Sequence, residues 1–200
     1  HKAPPTLNGA SELGPLPSRT ELDLPADRFI LILQGSGINV QRGAEEAVLA
    51  MRELPSCLLL LVGGGDAWPV LERMVQEHGL QDRVRLLPRM PYERMMRYTR
   101  NADLGLSLDK DTNLNYRFSL PNKLFDYFRA HIPALVTDLP EVAAIVRRTG
   151  GLADSVQHFD PVSGTGTGVV FEHYDVNGVS WGIRHALGLY RDRTAWNRLR

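Results

Sequence analysis

The sequence predicts an α/β fold, a Rossmann-like parallel sheet with helices on both faces. Three observations predict it. Short, continuous apolar runs recur along the chain, Phe29–Leu33 and Cys57–Val62 being the clearest. Runs without polar alternation suit strands buried on both faces, as in a parallel sheet. Between them lie segments whose apolar residues recur at helical spacing. The alternation repeats at least five times, the pattern of parallel strands joined by crossover helices.

The segment 1–27 carries Pro4, Pro5, Gly9, Gly14, Pro15, Pro17 and Pro25, and reads as a linker or tail from a preceding domain. Residues 28–200 then form the domain. The first residue is His1 rather than Met, and the last, Arg200, follows a helical pattern. Both features are expected of a domain cut from something longer. Phe29–Leu33 is the first strand, closed by Gln34-Gly35-Ser36-Gly37. Ala44, Ala47, Val48, Met51 and Leu54 mark one face of a helix. Cys57–Val62 is the second strand and ends in Gly63-Gly64-Gly65-Asp66. Val70, Leu71, Met74 and Val75 turn inward on the next helix, which Gly79 is placed to end. A strand over Val84–Leu87, a helix from about Pro91 to Asn101 and a strand over Leu104–Leu108 follow.

A long polar loop, Asp109 to Phe118, leads into Ser119-Leu120-Pro121-Asn122-Lys123. Proline suits the first turn of a helix, whose N–H groups lack partners. Leu124, Phe125 and Phe128 are its apolar positions. Next come a strand over Ala134–Thr137 and a helix opened by Pro140, carrying Val142, Ile145 and Val146. Ser163 to Gly168 is a flexible Gly-rich segment, and Val169–Phe171 a short edge strand. Ser180–Tyr190 is helical, with Trp181, Ile183, Leu187 and Tyr190 apolar, and Thr194–Arg200 continues it. Trp181 and Trp196 are expected to be core anchors.

Composition excludes several classes. Lys+Arg and Asp+Glu are 23 each, so nothing draws the chain generally to nucleic acid or to an anionic membrane. No apolar run approaches the ~20 residues that span a bilayer, and no secretory signal opens the sequence. The single cysteine, Cys57, excludes an intrachain disulfide and a cysteine metal cluster. A cytoplasmic location is the expectation.

Ligands of parallel sheets bind at the carboxyl ends of the strands. The Gly-rich loops after the first two strands and the 109–122 loop fall on that edge. Neither GxGxxG nor GxxxxGK[ST] occurs, so no standard dinucleotide site or P-loop is supported. Lys123 lies in the first turn of its helix, where a cation opposes the helix dipole. It is either a solvated surface residue or part of an anion site made with the first-turn N–H groups. No His/Asp/Glu cluster has metal-ligand spacing, and Asp109-Lys110-Asp111 reads as a solvated loop rather than a metal-binding acid pair. No metal and no cofactor are expected. His131 reads as a capping or surface residue, and Glu141 either reaches a ligand or starts a helix.

Four stretches in order resemble the C-terminal, nucleotide-sugar-binding domain of retaining GT-B glycosyltransferases, the group that includes bacterial polysaccharide and mannosyl transferases. They are ILQGSGINVQRG (Ile32–Gly43), LLLLVGGGD (Leu58–Asp66), VRLLPRMPYERMMRYTRNADLGLSL (Val84–Leu108) and SLPNKLFDYFRAHIPALVTDLPE (Ser119–Glu141). That family's strongest motif is two glutamates separated by seven residues. Asp126 matches the second, which implies a role at the ribose hydroxyls. Phe118 stands where the first would be, and Asn122 and Lys123 match a variant form with a PNK run. Arg42 matches the family's basic residue before a glycine, and Ser36 lies near the position of a second cation. The resemblance thus implies that Arg42 and Lys123 hold the donor diphosphate as the catalytic cations. Gly35, Ser36, Gly37, Gly64, Arg89, Met90, Ser119, Leu120, Pro121, Asn122 and Asp126 would complete the substrate site. It further implies a UDP-, GDP- or ADP-sugar donor, retention at the anomeric carbon, no metal, and an acceptor domain, absent from residues 28–200, without which nothing is transferred.

The tail resembles a different branch. GGLADSV (Gly150–Val156), GTGVVFEHYD (Gly166–Asp175) and WGIRHALGLYRDRTAW (Trp181–Trp196) are similar to glycogen and starch synthases. There the GGL run directly follows the strand equivalent to Ala134–Thr137, whereas here a helix intervenes. A natural mosaic and an engineered chimera are both open. ADP-glucose is the donor this tail suggests. Two other readings stand beside the transferase. One is half of an epimerase or phosphorylase, for which no convincing acid–histidine set or pyridoxal lysine motif is seen. The other is a non-catalytic binding module.

Overall fold

The computed structural model describes residues 14–40, 42–142, 168–171 and 174–199. Among them, six strands form one sheet: β1 (Phe29–Gly35), β2 (Cys57–Gly63), β3 (Val84–Pro88), β4 (Leu104–Ser107), β5 (Ala134–Thr137) and β6 (Gly168–Phe171). The spatial order is β3-β2-β1-β4-β5-β6, with every neighbouring pair parallel. The helices are α1 (Ala44–Ala50), α2 (Trp68–Glu77), α3 (Tyr92–Thr99), α4 (Leu114–Arg117), α5 (Asn122–Arg129), α6 (Val176–Arg191) and α7 (Arg193–Leu199).

The continuous apolar runs are explained by burial on both faces. Phe29, Leu31 and Leu33 of β1 enter one core with Leu59 and Leu61, packed under α1, α2, α6 and α7. Ile30 and Ile32 enter the other with Leu58 and Leu60, beneath α3 and α5. Each strand residue removes a whole side chain from water, roughly 1.5–3 kcal/mol apiece. Ala44, Ala47, Val48, Met51 and Leu54 are all buried, although α1 tightens into a 3-10 turn at Met51–Glu53. Gly79, with φ 62°, follows the last turn of α2.

Two expectations on packing are corrected. On α5 the buried residues are Lys123, Leu124 and Tyr127, while Phe125 and Phe128 are half-buried. The Tyr127 hydroxyl lies 2.9 Å from the Leu106 carbonyl and 3.2 Å from that of Ile32, so its polar end is satisfied inside the core. Trp181 is not a core anchor: it is 48% exposed and stacks on His185 one turn along α6. The inward face of α6 is Val179, Ile183, Ala186 and Leu189, and Trp196 of α7 is buried against Phe29 and Tyr190. The helix expected after Pro140 is described for 140–142; Ile145, Val146, Gly150–Val156 and Ser163–Thr167 lie outside the described residues.

Residues 14–27 lie against this sheet. Arg19 pairs with Asp103 at 2.8 Å and donates to the carbonyls of Arg28 and Asn101. Leu24 is buried in the second core. Among the described residues no helix is long and apolar enough to cross a membrane.

Candidate functional site

Strand β1 has β2 on one side and β4 on the other, so the chain reverses its direction of travel across the sheet beside β1. A crevice opens at such a point, outside the carboxyl ends of the strands. It is occupied by a cavity of about 560 Å³. Gln34–Ile38 from the β1 loop, Arg89 and Met90 after β3, Tyr92 and Met95 of α3, and Ser119–Lys123 with Asp126 line it. Of the thirteen residues expected in a site, this one cavity gathers Gly35, Ser36, Gly37, Arg42, Arg89, Met90, Ser119, Leu120, Pro121, Asn122, Lys123 and Asp126. Gly64 is not among the lining residues; Gly63 is, while the Gly64 carbonyl accepts the Ile38 N–H at 2.7 Å and so shapes the β1 loop from behind.

The two cations converge. Lys123 Nζ lies 3.1 Å from one oxygen of Asp109, and Arg42 Nε lies 3.7 Å from the other. Lys123 is 8% exposed, which removes the reading of a solvated surface lysine. Asp109 is 2% exposed, so the solvated loop expected at Asp109–Asp111 is corrected at its first residue. A carboxylate this deep needs partners, and two cations supply them. Local packing delivers Arg42 there. Gly43 has φ 78°, and a Cβ on it would lie 2.3 Å from Leu108 Cβ and 2.5 Å from the Leu108 carbonyl oxygen. Only a glycine lets the start of α1 close onto the end of β4 in this way.

No side chain caps α5, and Pro121, Asn122 and Lys123 line the cavity, so a helix N-terminus faces it. The Ser119 amide is engaged within the chain, donating to Tyr116 O at 3.2 Å. Arg89 Nε donates to the Ser36 carbonyl at 3.0 Å and ties the end of β3 to the β1 loop.

Asp126 lies one turn beyond Lys123. Gln34 Nε2 donates to one of its oxygens at 2.9 Å and the Tyr92 hydroxyl to the other at 2.8 Å. The other end of that amide, Gln34 Oε1, lies 2.6 Å from Thr99 Oγ1, which can donate to it. Burial holds the Asp126 carboxyl above its ordinary range, against the lowering effect of the two hydrogen bonds and of Arg129. Burial, then the bond to Asp126, pushes the Tyr92 phenol up to about 12.

The sequence does not single out Gln34, Tyr92 or Asp109 as parts of a site. A signal existed for two of them: Gln34 is the polar residue ending an apolar strand, and Asp109 follows a strand, both on the ligand-binding edge. Phe118, at the position of the family's first glutamate, is 55% exposed and outside the cavity lining, as is Glu141. His131 follows α5 and is exposed. Among the described residues no group of three or more His, Cys, Asp or Glu is placed to hold a metal ion.

No protein-family model matches the chain. Over 56 residues it is 50% identical to the glycogen synthase of Rhodospirillum rubrum and 52% identical to that of Desulforudis audaxviator. Each match covers 28% of this chain and 11% of the relative. Sucrose-phosphate synthase from Thermosynechococcus elongatus is similar in structure, with a TM-score of 0.68 at 21% identity, over 90% of this chain and 43% of its own. Anabaena HepE in complex with UDP gives 0.66 at 15% identity, over 95% and 46%. The catalytic domain of starch synthase IV from Arabidopsis thaliana, bound to ADP and acarbose, gives 0.62 at 15%, over 96% and 38%. The chain therefore spans less than half of each structural neighbour. The fold is that of one half of a GT-B glycosyltransferase.

Proposed function

We propose that this chain is the donor-binding half of a glycosyltransferase. It takes a nucleoside-diphosphate sugar into the cavity beside β1 and supports transfer of the sugar, with retention, to a saccharide or lipid acceptor held by a second domain. The observation that carries the reading is the convergence of Arg42 and Lys123 on one carboxylate at the cavity, beside an uncapped helix N-terminus. As the sugar–oxygen bond breaks, negative charge grows on the departing diphosphate. Cations and backbone N–H groups already in place stabilise that charge, at roughly 3 kcal/mol for one such donor. Arg42 and Lys123 take this role. Asp126 accepts from the ribose hydroxyls, and Arg89 and Met90 line the end of the cavity that receives the base. The local identity to glycogen synthases, and the ADP bound to the starch synthase, favour ADP-glucose as the first donor to try.

Isothermal titration of the 200-residue chain with UDP, GDP and ADP tests the reading. Binding of at least one is expected, and Arg42→Ala or Lys123→Ala should weaken it by roughly 10- to 100-fold, the loss of one charged hydrogen bond. Silence toward all three at millimolar nucleotide would remove the nucleotide site. Affinities unchanged in both variants would favour the non-catalytic module. Incubation with labelled donor and glycan should show no transfer until an acceptor domain is supplied.

A further inference from the structure

Arg42 is held from two sides by residues for which nucleotide binding alone assigns no part. Its guanidinium carbon lies 4.8 Å from the centroid of the Tyr116 ring, a cation–π distance. Its Nε faces Asp109 at 3.7 Å, too far for a hydrogen bond, and Nε and both Asp109 oxygens are buried without a well-aligned hydrogen bond among the described residues. Lys123 Nζ approaches the same carboxylate at 3.1 Å. Asp109 is itself fixed: Thr137 Oγ1 donates to its carbonyl at 2.8 Å, and the next residue, Lys110, pairs with Glu46 of α1. Tyr116 is fixed by its N–H, which Asn113 accepts at 2.9 Å to start α4. A buried carboxylate thus stands against both cations, yet leaves the buried Nε–H of Arg42, a residue that lines the cavity, without a well-aligned acceptor among the described residues.

We propose that Asp109 and Tyr116 are positioning residues for the diphosphate. The carboxylate keeps the ammonium and the guanidinium side by side, and the ring sets the plane of the guanidinium, so that both cations meet one ligand. This rests on the nucleotide reading. It makes a prediction opposite in sign to charge counting. Removing a negative charge from an anion pocket should tighten anion binding if the charge acts only through its field. If the carboxylate acts by holding the cations, its removal weakens binding.

The test compares inorganic pyrophosphate with the nucleosides uridine and adenosine, titrated by NMR against the 200-residue chain and its variants. Asp109→Asn and Tyr116→Leu should each weaken pyrophosphate binding by roughly ten-fold, with nucleoside binding unchanged. Tyr116→Phe, which keeps a ring, should restore wild-type affinity. Asp109→Asn binding pyrophosphate as tightly as the parent, or more tightly, would overturn the proposal. So would Tyr116→Leu binding as the parent does, or an equal loss toward pyrophosphate and nucleosides in both variants, which marks a general structural role. A parent chain that binds neither probe would instead overturn the nucleotide reading, and this proposal with it.

Discussion

At the residue scale, Asp126 shows how one carboxylate at the cavity combines its proposed binding role with a cost to the fold. Its burial favours the protonated form, so the folded chain binds that proton more tightly than the unfolded chain does. Stability is then lost as pH rises from the unfolded value of about 4 through the raised folded value. Asp126→Asn has a similar shape and no such loss. Thermal melts should show the melting-temperature difference between variant and parent moving in favour of the variant between pH 4 and pH 7.5. The same substitution should weaken nucleotide binding about ten-fold, because a neutral amide accepts ribose hydroxyls less strongly than a carboxylate. A melting-temperature difference flat in pH would show that burial does not govern Asp126.

At the element scale, the site depends on how closely α5 lies on the sheet. The contact is Gly105 of β4 under Tyr127: a Cβ at Gly105 would come within 2.5 Å of the ring. Tyr127 has no exposed surface, and its hydroxyl reaches carbonyls of β1 and β4. Gly105→Ala must push α5 outward, and α5 carries both Lys123 and Asp126. Overpacking of this kind costs about 1–3 kcal/mol. Urea denaturation should show that loss, and nucleotide affinity should fall with it. Tyr127→Phe removes only the hydroxyl and should cost stability, about 1 kcal/mol, while leaving affinity near the parent's. If Gly105→Ala keeps full affinity, the α5–β4 contact does not set the site geometry.

On the scale of the whole molecule, the stretch 14–27 is fastened to the domain at several points: Arg19, the Pro17 carbonyl that accepts from Asn101 Nδ2 at 3.0 Å, the Asp23–Arg85 pair and buried Leu24. The Arg19 guanidinium meets Asp103, whose carboxylate also accepts the Ile30 N–H at 2.8 Å. Both side chains are mostly buried. Arg19→Ala removes the guanidinium that Asp103 meets at 2.8 Å and should destabilise the domain by about 1–3 kcal/mol. Hydrogen exchange should then quicken at residues 14–27 and at the start of β1, well away from the cavity, with nucleotide affinity unchanged. Exchange confined to 14–18 would show that contacts other than Arg19, such as Leu24 and the Asp23–Arg85 pair, hold the rest of the segment.

Much of the sheet, and most of the lining of the cavity beside β1, is readable in the sequence. Phe29–Leu33 and Cys57–Val62 announce strands buried on both faces, because no residue in them could face water. Pro121 marks a helix start, and Lys123, a cation in a first turn, reads either as a solvated lysine or as part of an anion site until its burial is known. Such signals are local: they depend on a residue's own chemistry and that of its neighbours within a turn or two. What tertiary structure decided is which distant groups meet. Asp109 lies in a polar stretch and reads as solvated until β4, β5 and α1 close around it. Tyr127, flanked by Asp126 and Phe128, and Trp181, in a helix with several apolar positions, cannot be ranked as inward or outward from spacing alone. Their orientation is set by the empty space at Gly105 and by which face of α6 meets the sheet. Burial and charge pairing are properties of contacts between segments tens of residues apart, so the sequence could name the candidates while only the packed chain could pair them.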